Sequence, residues 1–395
     1  MRLLVVLLLC VAGLSQSSLP TGIPNAPFPH DAYIWQRLWT PRVIAAAERS
    51  ADLVRAWRVQ LAEATATGRW VTAAIPWDAL QATHRPIIAV VRIDGRLDEA
   101  RMPGLLDRIA TAIDGASGAI SGVEIDFDCP TSKLAAYTRF LATLRQRLPA
   151  SLKLSITALP TWLNSPALER LGADLDELVL QVHAVDDPRR GLFDPDRAER
   201  WIHAFARRIG RPMRIALPAY DVRVTWTNDG RLASVEGEVP LLTGAAPGTT
   251  LRAAPEAVLE LIRRLQRAAP ENLVGVAWFR LPTGDDRRAW SPDTWRAVVT
   301  DRLLPAKVSA SLVPADGPGL WTVMLANDGA IDADVPRRVR LDAGCAMADG
   351  ANGFRLVADA PLALVSAGGR LRAQERRVIG WARCTEPQRQ LDVAS

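Results

Sequence analysis

Between residues 122 and 128 the chain alternates apolar and acidic positions. Val123, Ile125 and Phe127 point one way, and Glu124, Asp126 and Asp128 the other. A period of two is that of a β-strand. Pro130 ends it and leaves Asp128 at its carboxyl end. Seven further runs read as strands, at residues 32–37, 53–63, 86–94, 152–158, 175–183, 212–220 and 273–280. A helix is the alternative for 53–63. The 86–94 run is apolar and β-branched throughout, as in a strand buried on both faces. Between the strands the period changes to that of a helix. Residues 132–148 set Leu134, Tyr137, Leu141, Leu144 and Leu148 along one side, an amphipathic pattern. Helices are also predicted at 40–49, 98–115, 196–209, 255–267 and 291–303, where Thr40-Pro41 and Ser291-Pro292 are capping pairs.

Eight strand–helix units over about 270 residues are the size of a TIM barrel, and the fold class predicted is α/β, a (β/α)8 barrel. The runner-up is a doubly wound open sheet, but no Gly-rich phosphate loop follows any strand. Residues 221–252 form a long connection read as a hairpin excursion. From residue 306 short runs (VSASLV, LWTVMLA, RRVRLDA, RVIGWA) alternate with turn residues such as Asn327-Asp328-Gly329, a small all-β, sandwich-like domain. The predicted division is a signal peptide at 1–18, a linker at 19–30, the barrel at 31–304 and the β domain at 305–395.

Composition narrows the function classes. The 395 residues are 49% hydrophobic with a formal charge of +5, and no Lys/Arg run gathers that charge into a patch. Nucleic acid is therefore not an expected partner. Met1-Arg2, the apolar run 3–14 and Ser15–Ser18 have the form of a secretory leader, and the run is too short to span a membrane. The expectation is export to the periplasm or beyond, with membrane contact only through an uncleaved leader. In an oxidising compartment Cys345 and Cys384 are candidates for a pair, and Cys129 is left alone beside Asp128. Four His and four Cys show no zinc spacing, so no metal or other cofactor is expected. Thirteen Trp against three Tyr suit stacking on sugar rings, although a single Trp more often fills a core.

Candidate chemistry gathers at the carboxyl ends of the strands, where parallel barrels build their sites. Three acids on one strand face are costly to bury unless paired or protonated, and Glu124, Asp126 and Asp128 are the catalytic candidates. The bland alternative is a wet acidic face. Asp128, nearest the mouth, is the best general acid, and its neighbours raise the proton affinity of the set. Trp35, Arg37, Arg92, Trp162, Gln181, His183, Tyr220, Trp278 and Arg280 are candidate substrate contacts. Arg92 and Arg280 are equally suited to neutralising the acid row. Glu63 and Asp94 are candidates for a second carboxylate, and Glu236 and Glu238 could swing over the mouth. A metal site on Asp126, Asp128 and His183 is a further alternative.

Ser121-Gly122-Val123-Glu124-Ile125-Asp126-Phe127-Asp128 resembles the strand-four signature of family-18 glycoside hydrolases, the chitinase-like barrels, Asp-Gly-x-Asp-x-Asp-x-Glu. Glu124 and Asp126 match its second and third acids, and Asp128 matches the Glu that protonates the glycosidic oxygen. Leu217-Pro218-Ala219-Tyr220 is similar to the family's strand-seven Leu-Pro-x-Tyr, and Trp278 to its strand-eight Trp. Ser121 replaces the first acid, Asp128 is a methylene shorter, and Gln181-Val182-His183-Ala184 stands where the Tyr and Asp that assist an N-acetyl group occur. A closer resemblance, over roughly residues 30–300, is to the exported bacterial domain of unknown function number 3142, through YIWQR, VVRIDG, EIDFDCP, LSITALPTWL, LQVHAVDDPRRGLFDP, ALPAY and VAWFRLPTGDDRRAW. It implies a glycosidase-like barrel and no established reaction. The expectation is an exported protein that hydrolyses a poly- or oligosaccharide with Asp128 as acid. The alternative is a non-catalytic carbohydrate-binding barrel of the cell envelope.

Overall fold

The computed structural model describes residues 28–95, 97, 102–116, 118–183, 188–227, 229–236 and 248–394. The predicted leader and residues 19–27 of the predicted linker lie outside them. Eight strands form the barrel: β1 (His30–Ile34), β2 (Ala56–Ala64), β3 (Ile87–Ile93), β4 (Gly122–Phe127), β5 (Lys153–Ala158), β6 (Glu177–Gln181), β7 (Met213–Pro218) and β8 (Leu273–Phe279). Each pairs in parallel with its neighbour, and β1 pairs with both β2 and β8. That closure rules out the open doubly wound sheet. Residues 56–64 are strand, settling the ambiguity there. Arg58 and Gln60 alternate in it with apolar Trp57 and Val59, the period of a strand rather than a helix.

A helix follows each strand, and local chemistry sets where helices start. Pro195 and Pro292 occupy first helical positions, where a missing N–H costs nothing. Before them Asp194 accepts from Arg197 N at 2.8 Å, and Ser291 from Thr294 N at 3.2 Å. The helix Pro255–Arg267 buries Val258, Leu259, Leu261, Ile262 and Leu265 against the strands. This outer shell is the main hydrophobic core. After β7 the chain makes strands Val222–Trp226, Leu232–Glu236 and Gly248–Leu251, which pair antiparallel. The predicted excursion is thus a small sheet, with residues 237–247, Glu238 among them, outside the described part. From Val308 the chain is antiparallel β around its own core of Leu312, Val323, Leu325, Val339, Leu364 and Ile379. Cys345 and Cys384 are disulfide-bonded there. Among the described residues no helix is long and apolar enough to cross a membrane.

The barrel interior has a polar floor. Arg58, fully buried, donates to Asp31 Oδ2 (Nε 3.1 Å, Nη2 2.9 Å) and also to Glu124 and Glu177. Arg214 donates to Glu177 at 3.2–3.3 Å and lies 3.3 Å from Asp31. Arg55 closes on Asp31 from the rim at 2.9 Å. Such charges persist out of water only when paired, and here each acid meets at least one guanidinium. Gly275 makes room for the network. A Cβ there would lie 2.1 Å from Arg214 Nη1 and 2.4 Å from Pro29 O, at φ +155°, so no larger residue fits.

Candidate active site

The carboxyl ends of the strands open into a cleft of about 1340 Å3. β4 supplies its acids. Asp126 Oδ1 accepts from Thr157 Oγ1 of β5 at 2.7 Å, and its Oδ2 from Arg92 Nη1 of β3 at 2.7 Å. The second nitrogen of the same guanidinium donates to Asp128 Oδ2 at 2.9 Å. Arg92 thus bridges the two acids. Asp126 is buried, whereas the Asp128 side chain is 50% exposed. Burial raises the proton affinity of Asp126, Arg92 opposes that, and the Asp128 charge adds to it.

Register extends the row. Glu63 lies opposite Arg92, and Arg92 opposite Asp126, on neighbouring strands. Strands about 4.8 Å apart put the backbones of Glu63 and Asp126 roughly 9–10 Å apart. Glu63 lines the cleft and meets Arg37 Nη2 at 2.7 Å. Asp94 lines it too, one residue beyond β3.

The facing wall is aromatic. Phe279 sits 5.2 Å from the Trp35 ring, 5.7 Å from Tyr33 and 5.3 Å from Tyr220, and it stacks on His183 at 6.3 Å. Burial lowers the His183 pKa to about 4, so the imidazole is neutral near pH 7. His183 Nδ1 and Gln60 Oε1 are buried, and neither has a hydrogen-bond partner among the described residues. Both side chains line the cleft and can bond a ligand hydroxyl without first losing a protein contact. Arg280 donates to Asp286 Oδ2 (Nε 3.0 Å, Nη2 2.6 Å) and lies over the Tyr220 ring at 6.0 Å.

The cleft therefore gathers Trp35, Arg37, Arg92, Asp126, Asp128, Gln181, His183, Tyr220 and Arg280 of the residues expected from the sequence. Three others lie elsewhere. Glu124 belongs to the floor, where it accepts from Tyr33 Oη at 2.6 Å, Ser155 Oγ at 3.1 Å and Arg58, and burial raises its proton affinity. Trp278 faces the outer shell, with Nε1 donating to His30 Nδ1 at 3.0 Å and its ring against Trp290 and Trp295. Phe279, one residue on, takes the inward position. Trp162 is buried against Tyr137, and its Nε1 holds the Cys129 carbonyl at 2.8 Å. It fixes the chain next to Asp128 from behind. The backbone of Glu236 lies in the excursion sheet. Among the described residues no three His, Cys, Asp or Glu are grouped to hold a metal ion. Tyr33, Gln60, Thr157 and Phe279 were not singled out by the sequence pattern.

The barrel has counterparts among known proteins. Among solved structures, the spore cortex-lytic enzyme SleL of Bacillus cereus is 12% identical, covering 71% of this chain and 75% of that one, with a TM-score of 0.52. A chitinase from Chromobacterium violaceum is 18% identical over 70% of this chain and 99% of its own, with a TM-score of 0.50. At such identities the likeness is one of fold, a closed eight-stranded parallel barrel with helices between its strands. No curated protein matches the chain. Domain of unknown function (DUF8456) matches residues 310–385. Domain of unknown function (DUF3142) matches residues 83–284, the stretch that carries the acids of β4 and most of the cleft, and the chain belongs to that family.

Proposed function

We propose that this protein is an exported glycoside hydrolase that cleaves a polysaccharide or glycan, with Asp128 as general acid. The observation that carries the reading is the half-exposed Asp128 at the end of β4, set over a cleft with an aromatic wall. Sugar rings stack on Trp35, Phe279 and Tyr220, while Gln60, Gln181 and His183 bond hydroxyls. Asp128 gives its proton to the glycosidic oxygen. Asp126, buried on the same guanidinium, stabilises positive charge developing at the anomeric carbon. Glu63, two strands away on the same cleft, is the candidate for a second carboxylate that activates water. The leader-like residues 1–18 support export to the periplasm or beyond.

A second reading is a binding barrel without catalysis. Arg92 favours it, since its guanidinium occupies an oxygen of both Asp126 and Asp128, at 2.7 and 2.9 Å. Incubating the protein and its Asp128→Asn variant with a polysaccharide panel separates the two. Reducing ends released by the parent alone support hydrolysis. Binding by both proteins with cleavage by neither supports the second reading.

A further inference from the structure

Behind the loop that carries Asp285 and Asp286, the C-terminal β region meets the barrel around a second, smaller cavity of about 370 Å3. It is lined by Arg287, Arg370, Arg372, Glu375 and Arg377. The acids near it are largely spoken for. Arg370 faces Asp221 at 2.5 Å and Asp332 at 4.0 Å. Glu375 accepts from Arg377 at 2.7 Å and from the Arg372 amide at 2.8 Å. The Arg372 side chain donates to two carbonyls, Gly284 O at 2.6 Å and Asp286 O at 2.5 Å, which carry no charge to offset its own. Arg287 reaches the already engaged Glu375 at 3.8 Å, and its side chain is 71% exposed. Four guanidiniums thus line one solvent-accessible hollow in which Glu375 is the single carboxylate among the lining residues. Burial and the neighbouring Arg287 lower the proton affinity of Arg372, and the charges of Asp332, Asp286 and Glu375 offset that only in part.

We infer that this cavity is an oxyanion site, and that it receives a carboxylate on an acidic glycan whose chain continues from the cleft. Arginine forks bind planar or tetrahedral oxyanions with two parallel hydrogen bonds. Position ties the cavity to the cleft: Arg372 holds the carbonyls of Gly284 and Asp286, and the Asp285 and Asp286 side chains line the cleft on the other side of the same loop. The glycan part of this inference rests on the proposed function; the oxyanion part does not.

Isothermal titration of the full chain with a galacturonate oligomer and a neutral oligomer of equal length tests it, alongside Arg287→Glu and Arg372→Gln. Arg287 is exposed, so its replacement leaves the fold intact even if Arg372→Gln loosens the loop. The galacturonate oligomer binds the parent protein at least tenfold more tightly than the neutral one, and Arg287→Glu removes roughly that tenfold, one charge-assisted contact. Equal affinity for the two oligomers, or an unchanged Arg287→Glu variant, overturns the inference. If neither oligomer binds the parent protein, the glycan reading fails, and inorganic phosphate decides the site alone. A rise in melting temperature with phosphate that Arg287→Glu abolishes keeps the oxyanion site. No rise overturns it.

Discussion

Replacing Arg58 by Met removes the cation that the barrel floor is built around. Asp31 keeps Arg55 and Arg214, and Glu177 keeps Arg214. Glu124 keeps only the hydroxyls of Tyr33 and Ser155, so a fully buried carboxylate loses its counter-charge. Breaking one partner of such a pair costs about 3–5 kcal/mol. In a barrel of this size that corresponds to a fall in melting temperature of roughly 6–10 °C. The loss depends on pH with a definite sign. Burial already raises the proton affinity of Glu124 in the fold, and Arg58 is the largest influence lowering it. Without Arg58 the folded-state pKa rises further. A carboxyl raised in this way supports the fold below its unfolded pKa and loses that contribution as pH rises through the folded value. The variant therefore lies closer to the parent at about pH 5 than at about pH 8. Urea unfolding followed by tryptophan fluorescence at both pH values measures it. A loss below about 1 kcal/mol, or one independent of pH, refutes the account of the floor.

Gly275→Ala places a methyl group 2.1 Å from Arg214 Nη1 and 2.4 Å from Pro29 O, so it lowers the yield of folded protein or the melting temperature. Gly284→Ala, with no atom within 4 Å of its added carbon, changes neither. Arg92→Gln removes the positive charge that opposes protonation of Asp126, so the proton affinity of Asp126 rises. The alkaline limb of a pH–rate profile, or of a carboxyl NMR titration where no turnover is found, then moves to higher pH; a limb that stays put or moves down contradicts the bridge.

The eight strands were legible because their apolar runs are long and the turns between them carry Pro, Gly or charge. The acids of β4 were legible because strict alternation fixes the phase of that strand. β8 shows the limit. In Leu273–Phe279 every residue but Gly275 is apolar, and a strand buried on both faces gives no alternation to set its phase. Its pairing with β7 also shifts register between Leu273 and Gly275, so the inward aromatic is Phe279 rather than Trp278. Glu124 shows a different limit. It shares the face of Asp126 and Asp128 but lies deeper, and only its partner Arg58, 66 residues earlier, separates floor from mouth. A trace existed in Arg58 and Gln60, polar at alternate positions of an otherwise apolar strand. The basic cavity was not legible at all, because Arg287 and the 370–377 segment meet only through the packing of the β region on the barrel.

The most direct test of Asp128 as general acid compares two substrates with the Asp128→Asn variant. One is an aryl glycoside whose leaving group departs without a proton; the other is a natural oligosaccharide whose leaving alkoxide needs one. General-acid assistance contributes about 10²–10⁴-fold. The account predicts a loss of that order on the oligosaccharide and a far smaller loss on the aryl glycoside. Equal losses on both, or an unaffected oligosaccharide, would contradict it.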